Sequence, residues 1–398
     1  MNFKDKKVLI RVDFNVPLDK DFHITDDTRI RAAIPSIKQL LERGSAVIIM
    51  SHLGRPLKKL KEDGSIDRER FTLKHIVPRL SELLGQPVLF AKDTVGTDAT
   101  KKAKELKPGQ VLLLENTRFE PGEKKGDREL AQKMANLADI YINDAFGTAH
   151  RAHASTSVVA SLFDAKHKSF GLLMEKEILN ANKLLNNPER PVTAIVGGAK
   201  VSDKMLLLDK LIDLADNIII GGGMAYTFFL ANGGHIGNSL VEKDRVELAK
   251  NLQQKAHQKG VNIYLPVDSI IADAFSEDAH TLVANSMDIP DGWMGLDIGP
   301  EAATAFGDVI KKSKTVLWNG PMGVFEMPPF AGGTHSVAKS VAEATANGAF
   351  TLIGGGDSVA AINQLGLADK VSYVSTGGGA MLKFLEGAKL PGIEAIEG

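Results

Sequence analysis

The stretch TAIVGGAKVSDKMLLLDKLIDLADNIIIGGGMAYTF, Thr193–Phe228, decides the fold class. It opens on a short β-branched run, Thr193–Val196, and a glycine pair, then carries apolar residues at helical spacing over Met205–Leu214. A second β-branched run, Ile218–Ile220, leads into a glycine triplet. Runs this short and apolar suit strands buried on both faces, and a strand–helix–strand order implies parallel pairing through a crossover. The alternation continues in both directions. Val8–Val12, Ala46–Met50, Val111–Leu114 and Ile140–Ile142 precede it, and Ile263–Leu265, Thr315–Trp318, Thr351–Ile353 and Val371–Val374 follow. Helical patterns lie between them at Ile34–Glu42, Leu73–Leu84, Arg128–Leu137, Val337–Ala346 and Ser358–Leu365. The expected fold class is α/β, with two doubly wound, Rossmann-like parallel-sheet domains.

A chain of 398 residues exceeds what one core usually supports, which fits two domains. The alternation pauses at Ser169–Pro191, where leucines and isoleucines recur at helical spacing up to Asn187-Pro188. The expected organisation is an N-terminal domain over 1–170, a hinge helix over 171–190 and a C-terminal domain over 191–383. The final segment, EGAKLPGIEAIEG, is predicted to have no helix or strand of its own.

Composition narrows the function. The net charge of -1 gives no basic field, so nucleic acid and membrane surfaces are not expected partners. With no cysteine, thiolate metal sites and thiol nucleophiles are excluded, and a reducing compartment fits. The N-terminus, charged from Lys4 onward, does not read as a secretory signal, so a cytoplasmic protein is expected.

Ligands of parallel sheets bind beyond the carboxyl ends of the strands, so the residues just past each strand are informative. In the first half these read RVDFNVP, SHLGRP, LENTRF and NDAFGTAHRAHAS, with TDDTRIR in the first crossover. Arginine forks match carboxylate and phosphate oxygens, and a protonated histidine adds a donor. Arg29, His52, Arg55, Arg118, Arg151 and His153 are therefore expected to hold a small anion of several charges. Asp13 and Asn15 either meet substrate hydroxyls or close an Asx-turn before Pro17. His150 and His153 share a spacing that suits a metal, but a third ligand is missing and Arg151 stands between them.

The second half places glycines at its strand exits: VGGAKVSDK, GGGMAYTF, LDIGPE, WNGPMGVFE, IGGGDSVAA and TGGGAML. A strand–glycine–helix junction lets backbone approach a phosphate and aims helix N–H groups at it. Neither the Walker pattern nor a dinucleotide G-x-G-x-x-G is present. Lys200 and Lys204, read as one helical turn apart, would bring two ammonium groups to a phosphate chain, or sit on a solvated face. Asp357 at a helix start reads equally as a Mg²⁺ ligand or an N-cap, and Glu326 could take ribose hydroxyls.

Taken in order, RVDFNVP, SHLGRP, AFGTAHRAHAS, VGGAKVSDK, GGGMAYTF, WNGPMGVFE and GGGDS make the whole chain resemble the phosphoglycerate kinase family. The resemblance implies reversible phosphoryl transfer from 1,3-bisphosphoglycerate to ADP, giving 3-phosphoglycerate and ATP with Mg²⁺. A monomer is expected, and two sites on two lobes require a hinge that closes on the ligands. The resemblance implies that Asp13, Asn15, Arg29, His52, Arg55, Arg118 and Arg151 bind 3-phosphoglycerate. The nucleotide would meet Lys200, Lys204, Gly221, Gly222, Gly223, Gly295, Leu296, Asn319, Pro321, Glu326, Gly355, Gly356, Asp357 and Ser358, with Asp357 on the metal. Arg29, Lys200 and the amides near Gly356 and Gly378 would flank the transferring group. It also implies that the tail, 384–398, returns to the N-terminal lobe. Ser358 stands where the family usually has threonine, with the hydroxyl kept. The alternative reading is a two-lobed anion and nucleotide sensor without turnover.

Overall fold

The computed structural model describes residues 1–398, which divide into two compact units, Met1–Leu179 with Ala388–Gly398, and Asn180–Gly387. In the first unit the strands are β1 (Lys7–Val12), β2 (Ala46–Met50), β3 (Val88–Phe90), β4 (Val111–Leu113), β5 (Ile140–Asp144) and β6 (Lys168–Phe170). All pair parallel in the order β3-β4-β2-β1-β5-β6. The helices are α1 (Thr28–Glu42), α2 (Arg68–Phe71), α3 (Val77–Leu84), α4 (Thr97–Glu105) and α5 (Arg128–Ala135). α6 (Leu172–Leu185) begins in the first unit and ends in the second.

Strand alternation splits the core in two. Val8, Ile10 and Val12 pack on one face with Val47, Ile49 and Ile142, while Leu9 packs on the other with Ile48, Leu112 and Tyr141. Helices therefore cover both faces, as a continuous apolar run requires. Arg11 falls on the Leu9 face by the same alternation and is only 1% exposed.

The second unit repeats the design with β7 (Val192–Val196), β8 (Asn217–Ile220), β10 (Asn262–Tyr264), β15 (Thr315–Asn319), β16 (Phe350–Gly354) and β17 (Tyr373–Val374), ordered β10-β8-β7-β15-β16-β17 and all parallel. Its helices are α7 (Met205–Ile212), α8 (Ala225–Ala231), α9 (Val246–Lys259), α10 (Pro300–Lys311), α11 (Gly332–Ala346), α12 (Gly356–Gln364) and α13 (Gly379–Leu385). Trp318, fully buried, centres the core with Ile195, Ile219 and Ile353. Two further sheets were not legible in the sequence. β11 (Asp268–Ala272), β12 (Thr281–Asn285) and β14 (Met294–Ile298) form an antiparallel sheet, and β9 (His235–Ile236) pairs with β13 (Asp288–Ile289). No helix is long and apolar enough to cross a membrane.

Two local expectations are corrected. Leu73–Leu84 is not one helix but a 3₁₀ turn, Leu73–Ile76, running into α3, whose start carries Pro78. The terminal segment does form an element, α14 (Pro391–Glu397). Pro391 sits in its first turn, where the missing N–H costs nothing, and Leu390 and Ile393 are buried, giving the short helix a packed face. Gly392 N–H donates to the Ala149 carbonyl at 2.8 Å, and Asn143 Nδ2 donates to the Gly392 carbonyl at 3.1 Å.

The antiparallel sheet is joined to α10 by Asp268, whose carboxylate accepts the N–H groups of Glu301 and Ala302 at 3.1 and 2.8 Å. This satisfies donors that Gly299, at the N-cap position, cannot reach. Asp268→Ala is expected to destabilise the second unit by about 1–2 kcal/mol in urea unfolding, with the denaturant slope unchanged.

Candidate active site

In the first unit the expected anion site assembles at the carboxyl ends of β1, β2, β4 and β5. Asp13 is its organiser: Oδ1 accepts the Asn15 N–H at 3.1 Å, closing the Asx-turn, and Oδ2 accepts Arg29 Nη1 at 3.0 Å. The Asx-turn reading of Asp13 is the one these bonds show, and the second oxygen pairs with Arg29. Asn15 Oδ1 accepts the Gly54 N–H at 2.7 Å, while the Gly54 carbonyl accepts Arg118 Nη1 at 2.6 Å. One turn thus ties the β1 and β2 exits to the arginine from the β4 exit. Arg118 is 7% exposed, and burial beside Arg11 and Arg151 lowers it to about 10. Arg55, exposed at the head of the turn Pro56–Lys58, lines a small concavity with Lys58, Arg118 and Lys124.

The histidines differ from expectation. His52 is 3% exposed, and burial together with Arg11, Arg118, Arg29 and Arg151 holds its pKa well below the ordinary imidazole value. Burial and the Arg11, Arg118, Arg151 and Lys124 charges likewise press His153 down to about 4. Both are neutral near pH 7, and cannot serve as the protonated donors the sequence reading assumed. Arg151 Nε donates to His150 Nε2 at 3.0 Å, which commits that ring nitrogen and removes it as a metal ligand.

Sequence reasoning missed Arg11, Lys58, Lys124 and Glu123. Arg11 carried a signal, a lone cation inside the apolar run VLIRV, which alternation must bury. Its Nε donates to Ser155 Oγ at 2.8 Å, Nη2 lies 3.3 Å from His52 Nδ1, and Nη1 donates to the Val12 carbonyl. Many buried or half-buried cations facing Asp13 and Glu123 leave an excess of positive charge that a polyanion would offset.

In the second unit the glycine junctions converge. Gly197 N–H donates to the Asn319 carbonyl at 3.0 Å, Gly222 N–H to the Met322 carbonyl at 3.0 Å, and Met224 N–H to the Gly198 carbonyl at 3.0 Å. These bonds knit the exits of β7, β8 and β15. Gly222, Gly223, Gly295, Leu296, Pro321, Glu326 and Asp357 then line a cavity of about 450 Å³. Leu240, Phe275 and Val324, not foreseen, add an apolar wall suited to a flat ring. Gly221 instead stands behind the wall, where a Cβ would lie 2.4 Å from Met322 Sδ. Ser358 is fully buried, and its Oγ accepts the Gly320 N–H at 2.6 Å, so the hydroxyl fixes the β15 exit.

The lysines are not a helical pair. α7 begins only at Met205, and Val201–Lys204 is a turn, because the backbone must first leave the glycine junction. Lys204 Nζ donates to Asn319 Oδ1, while burial lowers its pKa against the pull of Asp357, and Lys200 stays exposed. Asn319 Nδ2 is buried with no partner, beside Gly355. Asp357 does not cap α12: Gly355 holds that position and no side chain accepts there. Its exposed carboxylate makes no bond within the protein, which fits a hard cation sharing oxygens with a nucleotide. Gly356, at the first turn of α12, and Gly378, preceding α13, each have open space where a Cβ would stand.

Asp297, on the cavity floor, accepts the Gly333 and Ile298 N–H groups at 2.7 and 2.8 Å, yet burial pushes its carboxyl up to about 7. The unfolded carboxyl titrates near 4, so the folded chain keeps a proton the unfolded one loses. The stability this contributes is full below about pH 4 and is lost as pH rises through about 7. Urea unfolding from pH 5 to 8 is expected to show wild type losing more stability than Asp297→Asn.

A cation-rich anion site on one α/β unit and a glycine-lined nucleotide-sized cavity on the other define an enzyme that moves phosphoryl groups. A family model described as phosphoglycerate kinase matches residues 1–388. A phosphoglycerate kinase of Porphyromonas gingivalis is 53% identical, spanning 100% of this chain and 99% of its own, and a cytosolic one of Nicotiana tabacum is 52% identical over 100% and 96%. The solved phosphoglycerate kinase of Coxiella burnetii superposes with a TM-score of 0.87 at 40% identity, covering 100% of this chain and 97% of that one. The one from Pyrococcus horikoshii gives 0.83 at 32% identity over the same shares. The chain belongs to the phosphoglycerate kinase family. Its reaction exchanges a phosphoryl group between 1,3-bisphosphoglycerate and ADP, and no finding favours a sensor without turnover.

Proposed function

We propose that the two sites divide the reaction, with Asp13, Asn15, Arg29, His52, Arg55, Arg118 and Arg151 holding 3-phosphoglycerate. Lys200, Lys204, Asn319, Glu326 and the glycine junctions hold ADP or ATP. The observation that carries this is the unneutralised cation cluster around Arg118, whose own charges depress one another, while the second unit's cavity has an apolar wall and only sparse charge. Arginine forks from separate strands suit a ligand with carboxylate at one end and phosphate at the other. His52, neutral, supplies a hydrogen bond without adding repulsion.

Phosphoryl transfer spreads charge over the equatorial oxygens and asks the protein for alignment and neutralisation, not for a nucleophile. In this reading Lys200 and Arg29 flank the moving group, and the N–H groups at the start of α12 and before α13 meet its oxygens. Asp357 would hold Mg²⁺, which supplies neutralisation between the nucleotide's phosphates when bound. Because the ligands belong to different units, turnover requires the units to approach each other, with α6 as the joint. The reading takes the enzyme to work as a cytoplasmic monomer.

A coupled assay for ATP formation from 1,3-bisphosphoglycerate tests the reaction, and calorimetry on Arg118→Ala tests the division. Loss of 3-phosphoglycerate binding with ADP binding kept is the expected result; equal loss of both would sink the assignment. X-ray scattering with both ligands is expected to give a smaller radius than with either alone.

A further inference from the structure

Behind the anion site lies a buried chain of polar groups that ends on His52. Glu123 is fully buried, and its carboxylate accepts twice from one residue: the Ser155 N–H at 3.0 Å and the Ser155 hydroxyl at 2.5 Å. The same hydroxyl accepts Arg11 Nε at 2.8 Å, so its proton is committed to Glu123 and its lone pair to Arg11. Arg11 Nη2 in turn lies 3.3 Å from His52 Nδ1. Tyr141 Oη donates to the Ser155 carbonyl at 2.9 Å, fixing the serine from the other side.

Guanidinium is always a donor, so His52 Nδ1 must be the acceptor in that contact. A neutral ring accepting at Nδ1 carries its proton at Nε2, which makes no bond within the protein. Arg11 Nη1 is held by the Val12 carbonyl, and Ser155 Oγ is the side-chain partner that fixes the rest of the guanidinium plane; an Arg11 tilted away from His52 Nδ1 would leave His52 to choose either tautomer. We propose that Glu123 is a positioning residue for substrate binding: through the Ser155 hydroxyl it holds Arg11 against His52 Nδ1, and so sets His52 as an Nε2–H donor toward the anionic substrate. Its charge also offsets Arg11 inside the protein, leaving the outer cations to the ligand. Burial raises the Glu123 carboxyl, and Arg11 and Ser155 oppose that rise.

This rests on the proposed assignment of the substrate site, and the test separates the two. Nitrogen-15 imidazole spectra of the ligand-free protein are expected to give His52 as a single Nε2–H tautomer. In Glu123→Gln and in Ser155→Ala, which removes one hydroxyl only, the signals should shift toward a tautomer mixture. KM for 3-phosphoglycerate should rise about tenfold, the scale of one charge-assisted hydrogen bond, while KM for MgATP stays within about twofold. A purely structural role would instead lower thermal stability and leave that split and the tautomer unchanged. Either variant folding normally with an unaltered His52 tautomer and unaltered KM overturns the inference. A wild-type His52 signal that ignores 3-phosphoglycerate overturns the site assignment, and the substrate half of the inference with it.

Discussion

Lys200→Ala is expected to lower kcat about a thousandfold while the protein stays folded, its unfolding free energy moving by less than about 0.5 kcal/mol. Lys200 holds no other group in place. It is exposed on the segment between the β7 glycines and α7, and it makes no hydrogen bond or ion pair. Within the protein its ammonium acts only as a charge, a minor influence on Glu242, so truncation removes a charge and little packing. Lys204 differs, because its Nζ is bonded to Asn319 and half-buried, so its loss would also disturb the β15 exit. If Lys200 meets the transferring group, its effect is confined to the transition state, and kcat falls while KM for 3-phosphoglycerate holds within about twofold. A variant with near-normal kcat would remove Lys200 from the mechanism and pass its role to Arg29 and the amides. Steady-state kinetics in both directions decide it.

Gly197→Ala is expected to abolish nucleotide binding, weakening it more than about a hundredfold, and to destabilise the second unit by about 3 kcal/mol. A Cβ at this position would lie 2.0 Å from the Pro321 carbonyl oxygen and 2.9 Å from the Gly320 carbonyl carbon. These are backbone atoms and cannot swing aside. To admit one methyl group the β7 and β15 exits must part, breaking the Gly197 to Asn319 bond and moving Pro321, which lines the cavity. The first unit shares none of these contacts, so binding of 3-phosphoglycerate should persist within about twofold. Calorimetry with each ligand separately checks both halves of this result, and retained ADP affinity would mean the junction does not shape the nucleotide site.

The parallel sheets were legible because their strands announce themselves. Val8–Val12 and Thr193–Val196 are buried on both faces and so are apolar without interruption. β12 is the opposite case. Its residues are almost all exposed, and an exposed edge strand of Thr, Leu, Val, Ala and Asn carries no pattern that separates it from a loop. α14 escaped because a seven-residue helix between Pro391 and the terminus draws its stability from contacts on Ala149 and Asn143, which sequence spacing does not report. Among the site residues, Arg118 and Asn15 could be named from their places after strands, but their partner, the Gly54 turn, could not. The charge state of His52 was equally hidden, since it follows from burial and from four arginines converging from separate parts of the chain.

The return of the last residues to the first unit has a consequence during synthesis. Ala388–Gly398 belongs to that unit, yet it leaves the ribosome only after all of Asn180–Gly387. At ordinary elongation rates that delay is about 10 to 40 s. Through it, the segment Ala154–Val158 that α14 will cover waits bare, and Asn143 and Lys168 wait for the Gly392 and Ala395 carbonyls they will bind. A nascent chain therefore holds a nearly finished first unit whose final closure is timed by the translation of the second.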